Sequence, residues 1–195
     1  MSMDDAVDRL SDSKADHNKW VGVYIGVLAV ILAICNVGGA NAAKDANRAN
    51  IEAANAWAFY QAKNIRRAAF TLAADDLELQ LKTQPAMPQE ARKAVEARVK
   101  DYRTEIDRLK SDPEDGMDRL QGKGKTLEAE RDVAMRKDPY FDWSQALLQI
   151  AIVLASVHLI IGNPMLLGFS GSLAGLGVLL MLNGFTLALK LPVLG

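Results

Sequence analysis

The chain has one cysteine and two histidines in 195 residues. A single thiol, Cys35, cannot close an intrachain disulfide, so cysteine usage says nothing of redox compartment. With so few thiols and imidazoles the common zinc sites cannot be assembled. The formal net charge is -1, so no basic field points to nucleic acid. No proline occurs between Trp20 and Gln84, and three long stretches contain no Asp, Glu, Lys or Arg. No nucleophile–base pairing is legible. These absences predict a non-enzyme with no catalytic residue, no cofactor site and no metal site.

What is present is segregation. Half of the chain is hydrophobic and 24% is charged, and the two populations occupy different stretches, which is the signature of a membrane protein. Trp20 to Val37 is apolar and uncharged; roughly 18 helical residues are just enough to cross a hydrocarbon core. Residues 143–162 and 165–189 form two more such runs, joined by the tight turn Gly162-Asn163-Pro164. The expected fold is an all-α membrane protein. Residues 1–19 are a polar tail, frayed or a short surface helix, and 20–37 a first transmembrane helix. Residues 38–142 form a soluble, coiled-coil-like helical hairpin, and 143–162 and 165–189 are the second and third transmembrane helices. The first apolar run is too long for a cleaved signal peptide.

Helix lengths arrange the insertion. From Ala40 to Lys82 the first leg spans roughly 65 Å, and segments 89–111 and 113–138 span roughly 35 and 39 Å. Laid end to end, the two shorter segments cover the return to the second span. The reading is therefore a hairpin with its turn at residues 83–88 and a kink near 112–116. Asp112 is expected as N-cap and Pro113 at the first helical position. A compact three-helix domain would need a break in the first leg, near Asn64. The returning seam is Val95, Val99, Tyr102, Ile106 and Leu109, resuming at Met117, Leu120, Gly124, Leu127, Arg131 and Ala134. Gly116, Gly122 and Gly124 predict a locally weak return leg, at about 1 kcal/mol each relative to alanine. A fresh capped helix is expected at Asp142, after Pro139.

On the first leg, small and amide residues recur at spacings of four and three. They include Gly22, Gly26, Ala29, Ala33, Asn36, Asn47 and Asn50. Such a stripe allows close backbone approach between helices, and core asparagines fix register. In the third span Gly171 and Gly175 form a second GxxxG pair. Both sets are the expected helix-packing and oligomerisation residues, within or between subunits. A mixed solvated face, or a polar lining for a water-filled path at the asparagines, is the competing account of the stripe.

Other motifs reduce to structure. His158 would need an ionisable partner to relay protons in a membrane, and the spans supply none. Gly122-Lys-Gly-Lys-Thr126 resembles the end of a phosphate loop, but Arg119 stands where the loop needs glycine, and no strand precedes it. Asp75-Asp76 and the Glu128/Glu130 pair fit solvated helix faces.

Lys44, Arg48, Lys125, Arg131, Arg136, Lys137 and Lys190 all flank the spans on the insertion side. The positive-inside rule then predicts a cytoplasmic insertion and an outside N-terminus. The segment Ala56-Trp-Ala-Phe-Tyr-Gln-Ala-Lys-Asn-Ile-Arg-Arg67 stands a fixed helical distance beyond the first span. On its core, Trp57, Tyr60, Gln61 and Lys63, the chain resembles the bacterial family catalogued as domain of unknown function 4337. That resemblance implies one span, a charged helical region and a C-terminal pair of spans in a bacterial inner membrane, with weight on those four residues. It implies no activity. The expected role is structural or scaffolding, as a homo-oligomer surrounded by membrane lipid and open to other membrane proteins, without nucleic acid. The alternative is an ion channel or an ion-driven motor component, because the order of spans is similar to that of ExbB and TolQ motor proteins. Its candidate path residues are Asn36, His158, Asn183 and Thr186.

Overall fold

A computed structural model describes the backbone of residues 3–189 and the side chains from Asn18 to Leu189. Lys190 and the charged side chains of residues 1–17, Arg9 and Lys14 among them, lie outside the described residues. The described chain is all-helical: α1 Met3–Thr83, α2 Gln89–Ser111, α3 Met117–Ile161 and α4 Pro164–Thr186. Three of the helices, α1, α3 and α4, are long and apolar enough to cross a membrane.

α1 runs for 81 residues without a break. Its interior has no proline and is rich in alanine, the best helix former, so nothing local stops it before Pro85. The polar tail from Met3 onward is part of this helix. Neither a separate surface helix nor a break at Asn64 occurs.

α3 is equally continuous and carries Pro139 inside it. The fresh helix expected at Asp142 does not form, so Asp142 caps nothing and lies within α3. A mid-helix proline costs about 3 kcal/mol. The two residues after it, Tyr140 and Phe141, are each only 3% exposed, and burying both rings offsets that cost.

The break at 112–116 is a true helix end. Asp112 caps the C-terminus of α2, its backbone N–H donating to the Arg108 carbonyl. Its carboxylate accepts from the backbone N–H groups of Glu114 (2.9 Å) and Asp115 (3.3 Å). The N-cap role expected of Asp112 is therefore corrected: it holds a turn, and α3 starts at Met117. The turn's backbone N–H groups, Glu114 first, hold the Asp112 carboxyl below its usual range. At α4, Asn163 is the N-cap, accepting from the Met165 N–H at 3.0 Å, with Pro164 in the first turn.

The chain divides into two compact units, residues 1–46 with 132–195, and residues 47–131. In the first, the core gathers Leu28, Cys35, Phe141, Leu148, Ala151 and Met181 from α1, α3 and α4. Around that core Val27, Val30, Ile150, Val153, Leu179 and Leu182 are exposed.

In the second unit, contacts pair residues in opposite order along the chain. Arg103 meets Asp75 and Glu78, Phe70 meets Tyr102, Lys63 meets Asp115, and Trp57 meets Glu128. The returning seam packs as its spacing predicts. Val95, Val99, Tyr102 and Ile106 are half-buried, and Leu109, Met117, Gly124 and Leu127 are buried.

The residues that α1 turns toward its own chain are not those of the small-residue stripe. α1 buries Val21, Leu28, Cys35, Ala42, Ala49 and Ala56, one per heptad. The stripe through Gly22, Gly26, Ala29, Ala33, Asn36, Asn47 and Asn50 lies one position on, about 100° around the helix, and these seven are exposed. α4 likewise buries Ser170, Ala174, Gly177, Met181 and Gly184 within the chain and leaves Gly171 and Gly175 exposed.

Candidate functional site

Trp57 stands at the centre of the second unit's chemistry. Its indole Nε1–H donates to Glu128 Oε1 at 2.9 Å, and its ring meets Tyr60 edge to face at a centroid distance of 5.7 Å. Opposite lies Gly124. A Cβ there would fall 2.8 Å from Trp57 Cε2, so the missing side chain makes the seat for the indole. Lys63 binds Asp115 across 2.8 Å, its own side chain largely covered. Gln61 is exposed. Of the four motif residues, Trp57, Tyr60 and Lys63 thus face the returning chain or one another, and Gln61 faces away. Gly124 is the partner that sequence reasoning misjudged; its position on the buried seam opposite a tryptophan was the available signal.

Farther along, Arg103 donates to Glu78 Oε1 (2.9 Å) and Asp75 Oδ1 (2.6 Å). The two carboxylates, Glu78 first, raise its pKa further above the physiological range, so its charge is permanent. Asp75 is therefore tied across helices, while Asp76 accepts from Gln80 within α1. Arg131 reaches Asn50 at 3.5 Å.

Polar groups in the apolar helices of the first unit meet main-chain carbonyls. The Ser170 hydroxyl donates to the Ala151 carbonyl at 2.7 Å, and Tyr24 donates to Ser170 Oγ at 3.0 Å. Ser144 donates to the Gly177 carbonyl at 2.7 Å. His158 is 4% exposed, and its Nδ1 lies 2.7 Å from the Asn163 carbonyl, which can only accept, so that nitrogen carries the proton. Asn183 exchanges two hydrogen bonds of 2.8 Å with the Leu189 backbone. The Thr186 hydroxyl donates to the Leu182 carbonyl, and Asn36 is exposed. In a water-poor setting each such bond satisfies a group that would otherwise carry a large desolvation cost.

At the end of this unit Phe141 fills a slot bounded by glycine. A Cβ on Gly38 would lie 2.5 Å from Phe141 Cε1, and one on Gly184 3.1 Å from its Cζ. Phe185 meets the ring edge to face at 4.9 Å, and the Phe141 carbonyl accepts from the Cys35 thiol at 3.4 Å. By contrast, a Cβ on Gly22, Gly26, Gly171 or Gly175 would meet no atom within 4 Å. The structure brings neither GxxxG pair against another part of this chain.

Among the described residues no group of three or more His, Cys, Asp and Glu lies together to hold a metal ion. Every buried side-chain nitrogen or oxygen among them has a hydrogen-bond partner. The arrangement is one of clasps, in which aromatic rings seat on glycines and hydroxyls seat on carbonyls.

No curated protein and no solved structure matched the chain. The family described as Domain of unknown function (DUF4337) matches residues 17–187, the whole of the clasped region from the first apolar helix through α4, and the chain belongs to that family.

Proposed function

We propose that this protein is a non-enzymatic, homo-oligomeric integral membrane protein with a structural or scaffolding role. α1, α3 and α4 supply three spans, and residues 47–131 supply a helical hairpin stalk. The reversed order of contacts within that unit supports the hairpin. The exposed apolar surface around the first unit's core supports lipid contact. The setting carried by the family resemblance is a bacterial inner membrane.

One observation carries the oligomer. Gly22 and Gly26 lie on an exposed face with Ala29 and Ala33, and among the described residues no atom comes within 4 Å of a Cβ built on either glycine. Small residues let helix backbones pack closely in lipid, where association rests on contact rather than on hydrophobic gain. A channel or motor component finds less support, because His158, Asn183 and Thr186 are engaged with main-chain carbonyls of their own chain.

Gly26→Leu tests the assembly. A Cβ there meets no atom of the described residues within 4 Å, so the fold should stand while another copy is displaced. The detergent-solubilised parent should sediment as an oligomer and the variant as smaller species. A parent that is monomeric at micromolar concentration would remove the proposal. Equal assembly of both proteins would mean that this face meets lipid.

Orientation follows from the basic residues flanking the spans: stalk in the cytoplasm, N-terminus outside. A cysteine at the exposed Lys123 should resist an impermeant thiol reagent in intact cells and react after lysis. Reaction in intact cells would reverse the orientation.

A further inference from the structure

A helix at the surface of a charged unit should turn charge outward, and α2 does so with Lys93, Glu96, Lys100 and Asp107 exposed. In the same unit α1 does the opposite. Ile51, Ile65, Leu72 and Leu79 are 61%, 66%, 72% and 57% exposed, and Ala58 completes the series at a spacing of seven. This stripe lies on the side of α1 opposite the buried Ala49, Ala53 and Ala56. Between Ile51 and Leu72 the face holds only alanine, asparagine and glutamine besides the large residues. A large residue once per heptad with small ones between is the pattern of a coiled-coil seam.

We infer that this outer face of α1, from Ile51 to Leu72, is the docking surface for α1 of a second copy of this chain, as a parallel, in-register helix pair. The inference rests on the oligomeric membrane protein proposed above. Copies held in one bilayer in the same sense are related by rotation about the membrane normal, which places each residue at the height of its counterpart. Ile65 then meets Ile65, and Leu72 meets Leu72. From Ile51 to Leu72 the face carries no charge, so a like copy meets no repulsion there; the exposed Asp75 and Asp76 mark its end. Its exposed surface, with the alanines included, is on the order of 800 Å², about what one partner contributes to a stable interface.

Disulfide cross-linking in native membranes tests the surface. The full chain carries Cys35→Ala, so that each introduced thiol is the only one. Ile65→Cys and Leu72→Cys should each shift from monomer to dimer mass on a non-reducing gel after mild oxidation. Lys100→Cys, on the charged outer face of α2, should stay monomeric. Sedimentation of the same proteins separates the two ways of failing. An oligomeric particle with no dimer band at residues 65 and 72 overturns this surface and leaves the oligomer standing. A monomeric particle overturns both. A cross-link to a band of a different mass assigns the face to another protein and overturns the self-docking.

Discussion

Phe141→Ala is expected to be the most damaging single change in the first unit. The ring is 3% exposed and lies against Gly38, Gly39, Gly184 and Phe185. Truncating a buried phenylalanine costs about 3–5 kcal/mol, through lost contacts and a cavity that its surroundings cannot fill. Here three of the neighbours, Gly38, Gly39 and Gly184, are glycines, which have no side chain to move into the space. The cost should therefore fall at the upper end of that range. It also removes part of what holds α3 continuous through Pro139, so amide exchange should accelerate first at the residues around 136–146. Chemical denaturation of the detergent-solubilised protein, parent against variant, measures the loss. A cost under about 1 kcal/mol would mean that the slot collapses freely, and that these glycines are not there for the ring.

The two legs of the second unit show why one register was legible and the other was not. On α2 and early α3 the apolar seam is set against charge on the opposite face, so the period has a phase that can be read from the residues. Val95 to Leu127 accordingly pack as the spacing predicts. α1 offers no such contrast. Alanine occupies its buried face at Ala49, Ala53 and Ala56 and its exposed face at Ala54, Ala58 and Ala62. A stripe of small residues fits several rotations of such a helix equally well, so the sequence alone does not say which rotation faces the same chain. What decides the phase is the partner: the bulky seam on α2 and α3 needs small residues opposite, and that pairing is tertiary. α3 and its Pro139 illustrate the same limit, since a local stop signal is overridden by burial of the two residues that follow.

The glycines carry the other lesson. By helix propensity alone Gly116, Gly122 and Gly124 are three equal weaknesses. In the structure they differ. Gly122 is open, Gly116 is buried in the turn held by Asp112, and Gly124 receives an indole. A glycine on a buried seam facing a tryptophan is a fitted contact, and its propensity cost is the smaller effect. The family resemblance puts weight on Trp57, Tyr60 and Lys63; that Trp57 and Lys63 tie α1 to the returning chain could be read only from their partners Gly124, Glu128 and Asp115.

That clasp yields the second large expected effect, in the form of a rescue. Trp57→Ala should destabilise the second unit by about 3–5 kcal/mol, because it empties the seat over Gly124 and takes the hydrogen bond from Glu128. Trp57→Phe keeps part of the volume but loses the N–H donor, so its cost should be smaller, about 1–3 kcal/mol. Gly124→Leu fails for the opposite reason. Its Cβ would stand 2.8 Å from Trp57 Cε2, and overpacking of this kind costs about 1–3 kcal/mol even though leucine is the better helix former. Combining Trp57→Ala with Gly124→Leu returns volume to the site from the other side. The double variant should therefore be more stable than the sum of the two single losses requires, with a coupling of about 1–3 kcal/mol. Denaturation of all four proteins, with amide exchange at residues 53–62 and 120–128 as the local readout, closes the cycle. Strictly additive losses would show that the indole and Gly124 do not share one packed site, and the account of the motif as a clasp would fall with it.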